Sequence, residues 1–459
     1  MTADDIIPSS FRDPSGFVFC QQGSIYRQVN TVYRENYDHL MESGLYESLV
    51  SAGLLVPHQQ AGLEYAKSDD AYKVLKPEVV PFISYPYEWC FSQFKDAALA
   101  TLKIQKIAFR SGMTLKDSSA YNIQFVKGKP ILIDLLSFDK YREGQLWIPY
   151  RQFCQHFLGP LALMSYKDIR LSQLLRIFLD GVPLDLTSAL LPLRTRLRFS
   201  LLAHIHVHAK SQTHYAHKTI RTRERKISHL SFLGLIDSLE SAVKKLRWQP
   251  KGTEWAEYYD ETNYSADAME HKKELVADFL NRVNPTFLWD LGANTGVFSR
   301  VAADRGIPTI SFDIDPAAIE RNYLECREKG QTDLLPLLLD LTNPSPGIGW
   351  ANQERMPLFQ RRSPDTILAL ALIHHLAISN NLPFNKIAEL FRGICDSLII
   401  EFVPKNDSQV ERLLSTREDI FPDYTQSAFE ETFGRYFSIK NCEKIRNTER
   451  TLFLMQKRT

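Results

Sequence analysis

The residues most pointed towards chemistry lie in Phe287-Leu-Trp-Asp-Leu-Gly-Ala-Asn-Thr-Gly-Val-Phe-Ser-Arg300, where an apolar run ends in an acid and breaks into a glycine-rich turn. Phe287 to Asp290 suits a buried parallel strand, Gly292 and Gly296 let backbone amides approach a ligand, and Val297 onward suits a helix whose N–H groups face the same place. A dinucleotide turn would read Gly-x-Gly-x-x-Gly, and Gly292-Ala293-Asn294-Thr295-Gly296 lacks the third glycine. Asp290 would repel a diphosphate, whereas it attracts a sulfonium cation that also carries an amino group. A plain tight βα loop has the same glycines, so the acids downstream decide between the two.

A second apolar run, Pro308-Thr-Ile-Ser-Phe-Asp-Ile-Asp-Pro316, ends in acid about twenty residues further on, where a βαβ unit returns a carboxylate to ribose hydroxyls. Asp313 is the ribose candidate, and Asp315-Pro316 is an N-cap with a first-turn proline for a helix through Ala317 to Glu328. A third run, Leu334 to Leu339, ends in Asp340-Leu341-Thr342. A fourth, Asp365 to Ile373, is continuously apolar, as a central parallel strand should be, and meets His374-His375-Leu376. A fifth, Ser397-Leu-Ile-Ile-Glu-Phe-Val403, carries Glu401.

The turn resembles Asp-x-Gly-x-x-x-Gly, the first motif of class I S-adenosylmethionine (SAM) dependent methyltransferases. That resemblance implies a Rossmann-like α/β sheet and SAM as cofactor. It places the cofactor on Asp290, Gly292, Ala293, Asn294, Thr295, Gly296, Asp313, Ile314, Asp340, Leu341 and Ala371, with Asp340 accepting from the adenine amino group. Methyl transfer needs positioning and, for an oxygen acceptor, a base at the end of strand four or five. His375, Glu401 and His374 stand there; adjacent histidines that begin a helix cannot both face a pocket, so one of them is structural. The absence of an Asp/Asn-Pro-Pro-Tyr/Phe turn after strand four argues against the adenine and glutamine N-methyltransferases. Asn343 to Trp350 either closes one wall of the site or simply connects.

These elements need only part of a chain of 459 residues, so two or more domains are expected. Lys plus Arg number 55 against 54 Asp plus Glu, a balance that gives no global argument for nucleic acid. Hydrophobics at 44% and charges at 24% are those of a globular protein. No apolar stretch is long enough to span a membrane, and Met1-Thr-Ala-Asp-Asp has acids where a signal peptide needs positive charge, so the expected location is cytoplasmic. Six scattered cysteines form no C-x-x-C pair and read as buried thiols, with no metal site and no disulfide scaffold.

In the N-terminal half, two short strands, Gly16 onward and Ser24 onward, are expected before a helix over Arg34 to Ala52. Val79 to Trp89 is expected as an edge strand interrupted by prolines, and Ser92 to Ser111 as a helix burying Phe94, Ala98, Leu102, Gln105 and Phe109. Asp117-Ser-Ser-Ala-Tyr-Asn122, followed by a hairpin and Asp134, resembles the catalytic core of the protein-kinase-like and aminoglycoside-phosphotransferase-like α+β fold. On that resemblance Asp117 stands at the catalytic base, and Asn122 and Asp134 at the ligands that hold Mg²⁺ on ATP phosphates. Leu115-Lys116 replaces the usual His-containing pair, Leu135-Leu136 follows Asp134 in place of Phe-Gly, and no glycine-rich loop is present. Lys73 and Lys76 have no helix glutamate to pair with, so a degenerate domain with a binding or scaffolding role is expected in preference to an active phosphotransferase.

Domain boundaries are expected at 1–185 for the kinase-like domain, 186–250 for a helical linker and 251–459 for the methyltransferase domain. Within the linker, His204, His206, His208, His214 and His217 have no carboxylate or cysteine beside them and make a poor metal site. Lys218 to Lys226 is a basic run of the kind found on solvated faces. Trp255, Tyr258, Tyr259 and Tyr264 either line the acceptor side of the pocket or pack the next helix onto the sheet, and Ser265 to Val283 is that helix, with Asp267 as its cap. Taken together, Trp255-x-x-Tyr258-Tyr259, Asp290 to Gly296, Leu370 to Leu376, Glu401-Phe-Val-Pro-Lys405-x-Asp407 and Ile420-Phe-x-x-Tyr424 resemble a bacterial family of class I SAM-dependent methyltransferases, some of whose members carry nodulation-protein names. The resemblance spans most of the chain and specifies no methyl acceptor.

Overall fold

The computed structural model describes residues 6–209, 227–250, 264–415 and 417–458. The chain divides into two compact units, one of residues 1–249 with 346–356 and the other of residues 250–345 with 357–459.

In the first unit, β1 (Gly16–Gln21) and β2 (Ser24–Asn30) form a hairpin whose turn puts Gln22 and Gly23 at φ +49° and +75°, the doubly left-handed pattern of a type I′ turn. Between β2 and the next strand the expected single helix is two, α1 (Arg34–Glu42) and α2 (Leu45–Ser51), because Gly44 takes φ +73° and breaks the ladder. With β3 (His58–Ala61) and β4 (Ala71–Pro77) they complete an antiparallel sheet of order β1-β2-β4-β3. The expected edge strand over 79–89 is absent. Pro81 and Pro86 remove ladder donors there, and the side-chain amide of buried Gln124 serves Ser84 instead, accepting from its N–H at 2.8 Å and donating to its carbonyl at 3.0 Å.

The long helix α3 (Phe91–Arg110) buries the five expected residues. The buried Gln105 carboxamide accepts from Leu115 N at 2.8 Å, which fixes the start of the segment carrying Asp117. That segment runs through β5 (Met113–Leu115), the hairpin of β6 (Ile123–Val126) and β7 (Lys129–Leu132), and β8 (Phe138–Lys140), with β5 paired to β8 and β6 to β7. Short helical turns fill 150–207. Helix α4 (His229–Lys245) then packs on α3, Phe232 stacking on Phe109 with ring centroids 4.2 Å apart and Asp237 lying 2.6 Å from Lys106. Of the stretch expected as a linker, 186–250, residues up to 249 are grouped with the first unit, and α4 is the part that packs on α3.

The second unit is built on α5 (Ala266–Val283), β9 (Leu288–Leu291), α6 (Val297–Ala303), β10 (Thr309–Asp313), α7 (Pro316–Lys329), β11 (Leu334–Leu338), β12 (Thr366–Ala369), α8 (Phe384–Ile394), β13 (Ser397–Phe402), β14 (Phe437–Lys444) and β15 (Thr451–Lys457). The order β11-β10-β9-β12-β13-β15-β14 is the 3-2-1-4-5 of a doubly wound Rossmann-like sheet, closed by an antiparallel hairpin. The fourth strand is shorter than expected, since the chain turns at Leu370 and Ala371 takes φ +49°. Helix α5 is capped by Ser265, which accepts from Ala268 N; Asp267 sits inside the first turn, where a carboxylate favours the helix dipole. Asp315 caps α7 as expected, accepting from Ala317 N and Ala318 N. One core cluster joins Val276, Phe279 and Leu280 of α5 to Phe298, Leu368, Ile399 and Leu454. No described helix is long and apolar enough to cross a membrane.

Gln124→Ala would leave two buried backbone groups of Ser84 without partners, and an expected destabilisation of about 1–3 kcal/mol should appear as a lower denaturation midpoint, whereas an unchanged midpoint would show that the irregular 79–89 segment does not depend on this amide.

Candidate functional site

The sheet of the second unit reverses its order between β9 and β12, which opens a crevice at the carboxyl ends of those strands. A cavity of about 340 Å³ lies there, lined by Asp290, Gly292, Ala293, Asn294, Asp313, Ile314, Asp340, Leu341, Ala371 and His375 from the residues named by sequence, together with Tyr264, Met269, Lys272, Phe298, Phe312, Leu370, Leu372 and others. Thr295, Gly296, His374 and Glu401 stand outside that lining.

The glycine turn works differently from its expected role. The amides of Gly292 and Ala293 both donate to the Phe312 carbonyl at 2.9 Å, and Asn294 N donates to Asp313 Oδ2 at 2.7 Å, so these N–H groups are spent inside the fold and do not face a ligand. What Gly292 supplies is room: it takes φ +76°, and a side chain there would press on Leu372, another lining residue. Gly296, at φ +81°, caps α6, and a Cβ on it would fall 2.5 Å from the Asn322 side chain. Arg300 clamps the turn from behind, donating to the Thr295 carbonyl at 2.6 Å and to Asn322 Oδ1 at 2.9 Å.

The acids are held in electrostatically costly places. Burial pushes the Asp290 carboxyl up to about 7, against a hydrogen bond from the Ser299 hydroxyl at 2.5 Å. Burial likewise pushes Asp313 up to about 6, although it accepts from the amides of Asn294 and Asp315. Asp340 is half-buried and accepts from both the amide and the hydroxyl of Thr342. Two carboxylates so desolvated favour a cationic ligand, which would relieve the cost of ionising them.

Glu401 is corrected as a base candidate. It is 0% exposed and lies outside the cavity lining, 2.6 Å from Lys272 Nζ and 3.5 Å from Arg450; it also accepts from the Tyr264 hydroxyl and from Ala371 N at 2.8 Å. Burial raises its carboxyl, but Lys272 and Arg450 outweigh that and hold it below the usual range, so it is an ion-pair anchor. Arg450 is in turn held by Asp407 at 2.7 and 2.9 Å. His374 is buried behind the wall, its ring 4.1 Å from that of His375, so the expected split of the pair leaves His375 at the cavity. Burial, with Arg450 adding to it, pulls the His375 imidazole down to about 4. Lys272 and Arg450 were missed by sequence because each stands alone in its motif-free stretch; only the fold brings them to Glu401.

In the first unit Asp117, Asn122 and Asp134 do converge. Asn122 Nδ2 donates to Asp117 Oδ2 at 3.1 Å, Gln152 donates to Asp117 Oδ1 at 2.7 Å, and the Ser137 hydroxyl lies 3.5 Å from Asn122 and donates to Asp134. Burial pushes the Asp117 carboxyl up. The cation on Asp134 is Arg27 of β2, which no motif marks, and neither Lys73 nor Lys76 takes that place. Of the stretch Asn343 to Trp350, expected as a wall or a connector, residues 346–350 fall in the segment 346–356 that is grouped with this unit: Glu354 pairs with Arg12, Met356 N donates to the Tyr85 hydroxyl at 2.7 Å, and Arg355 lies 4.4 Å over the Tyr121 ring.

His204 bonds Tyr150 and Ser238, and His206 bonds Ser188 and Thr195, so both are satisfied by hydroxyls. Among the described residues no group of three or more His, Cys, Asp or Glu is arranged to hold a metal ion. His214, His217, Lys218 to Lys226, Trp255, Tyr258 and Tyr259 lie outside the described residues.

Because the Asp290 carboxyl is raised in the folded state, the stability it contributes is fully present below about pH 4 and lost as pH rises through about 7. Asp290→Asn should therefore melt higher than the parent at about pH 8, by an amount on the order of 1–3 kcal/mol, and the difference should vanish near about pH 4; equal melting at both values would refute the burial argument.

Compared with known proteins, the chain matches no family model. It is 36% identical to nodulation protein NoeA of Rhizobium meliloti (strain 1021), over 98% of this chain and 96% of that one. Among solved structures it is similar to magnesium protoporphyrin IX methyltransferase from Synechocystis PCC 6803 with bound SAH, at 14% identity, 44% of this chain, 93% of that one and a TM-score of 0.32. It is also similar to the bifunctional kinase-methyltransferase WbdD, at 13% identity, 44% of this chain, 41% of that one and a TM-score of 0.30. Identity at this level over nearly the full length of both sequences means that the chain belongs to the family of nodulation protein NoeA.

Proposed function

We propose that the chain is a SAM-dependent methyltransferase acting in the cavity of its second unit. The observation that carries this is the convergence of Asp290, Asp313 and Asp340, from the ends of three adjacent parallel strands, on one cavity at the point where the sheet order reverses. A ligand with a sulfonium and an ammonium at one end, a ribose in the middle and an adenine at the other suits acids spaced in this way. SAM supplies an electrophilic methyl when bound. Asp290 faces the charged end, Asp313 keeps lone pairs for ribose hydroxyls beyond the two amides it already accepts, and Asp340 takes the adenine amino group.

His375 is the residue offered to the methyl acceptor. Its imidazole is neutral at physiological pH, and a group titrating at about 4 orients an acceptor proton by hydrogen bond better than it removes one. That suits an acceptor atom already nucleophilic in the neutral state.

The first unit is read as a degenerate kinase-like domain that binds the acceptor or a partner. Its strand pairs β5-β8 and β6-β7 bracket Asp117, Asn122 and Asp134, which supports the kinase-like reading. The donor set does not fit Mg²⁺: Asp134 accepts from Arg27 and Leu136 N on Oδ1 and from Ser137 on Oδ2, and Asn122 is turned to donate to Asp117. No phosphoryl transfer is assigned to it.

Calorimetry on the full chain with S-adenosylhomocysteine should show one binding event, weakened at least about tenfold by Asp313→Ala and, as pH falls below about 7, by up to about tenfold per pH unit as Asp290 protonates and more steeply below about 6 as Asp313 follows. A parent protein that gives no heat would sink the assignment. Asp134→Ala, which strips Arg27 of its part-buried partner, should lower stability by about 1–3 kcal/mol yet leave S-adenosylhomocysteine affinity within about twofold; lost affinity would contradict the separation of the two sites.

A further inference from the structure

We infer that Lys272 is the residue that receives the α-carboxylate of the bound sulfonium amino acid, an assignment that rests on the proposed SAM site. An α-amino acid presents a carboxylate and an ammonium a few ångströms apart, so a pocket that fixes it needs a cation near an anion. Asp290 supplies the anion. Among the described lining residues Lys272 is the single Lys or Arg, and it is 2% exposed, a burial that an ammonium tolerates only when its donors are met.

An ammonium has three donors. Lys272 uses one on Glu401 Oε2 at 2.6 Å and a second on the Tyr264 hydroxyl at 3.2 Å, and among the described residues no partner takes the third. The Phe298 and Tyr264 rings, whose centroids lie 4.5 and 4.8 Å from Nζ, wall the group in; burial pulls the ammonium below its ordinary range, and Glu401 works against that. Lys272 and Asp290 are near enough for each to act electrostatically on the other. Lys272 stands on α5, before the first strand, while Asp290 ends that strand, so the amino-acid end of the ligand would be clasped between the two.

Charge balance agrees. Lys272 and Arg450 offset Glu401 and Asp407, a neutral set that leaves Asp290 and Asp313 to face a ligand of net charge one positive. Without Lys272 the described lining would offer the ligand's carboxylate acids and neutral polar groups but no Lys or Arg. Lys272 turns that repulsion into a recognition element, and it separates intact amino-acid ligands from adenosine compounds that lack the carboxylate.

The test compares the affinity of the full chain for SAM and for decarboxylated SAM, with 5′-methylthioadenosine as a probe of the nucleoside end. The parent should prefer SAM to its decarboxylated form by about tenfold or more, Lys272→Arg should keep the preference, and Lys272→Met should bring the two within about twofold. A Lys272→Met protein that weakens both ligands equally and keeps the parental ratio overturns the inference, since a merely structural lysine would do that. If Lys272→Met does not fold, the parent decides: equal affinity for the two SAM forms overturns the inference, and a preference kept by Lys272→Arg supports it. Failure of the parent to bind either SAM or 5′-methylthioadenosine would instead remove the cofactor assignment and this inference with it, whereas binding of both with an unmoved ratio would remove this inference alone.

Discussion

A carboxylate with no access to solvent must find all its partners in the protein, and in the second unit that carboxylate is Glu401 on β13. Its partners come from separate elements: Lys272 from α5, Tyr264 just ahead of it, Arg450 beside β15, and the Ala371 amide beyond β12. The ion set thus ties the helix before the first strand to the last hairpin and to the crevice. Ala371 takes a left-handed φ of +49°, uncommon for a residue with a side chain, where its amide donates to Glu401. Replacing so buried a pair by apolar groups is often neutral for stability, so its value here lies in fixing which elements meet and where Lys272 and Tyr264 stand.

With the wall fixed in this way, the crevice concentrates negative charge. The glycine turn contributes shape, because the amides beside it are consumed by Phe312 and Asp313 in closing β9 onto β10. The acids contribute field. Burial raises both Asp290 and Asp313, a cost that a cationic ligand would relieve. The same desolvation, with Arg450 adding to it, pulls the His375 imidazole down to about 4.

In the first unit three polar residues named by sequence stand together and are partnered by protein groups. Asp117, Asn122 and Asp134 remain together, but Arg27 and Ser137 occupy Asp134, and Gln152 and Asn122 occupy Asp117. Fully partnered side chains of this kind stabilise a loop without presenting open oxygens to a metal. The residues 346–356 bring Arg355 over Tyr121, next to Asn122 in sequence, so the same neighbourhood is packed by a segment that interrupts the second unit.

Local patterns in the sequence determined the parallel strands of the second unit, the glycine turn and the acids that line the cavity, because strands buried on both faces need unbroken apolar runs and strand-end acids sit at fixed offsets from them. Local patterns also placed α3 and its buried face. They misjudged 79–89, where a side-chain amide from Gln124 replaced a ladder, and α1 with α2, where Gly44 broke a helix that the apolar spacing alone would have continued. Tertiary structure alone decided that Glu401 is an anchor, that Arg27 meets Asp134, and that Lys272 enters the crevice. Lys272 and Glu401, like Arg27 and Asp134, are separated by more than a hundred residues, and a single charged side chain carries no periodic signal to announce its partner.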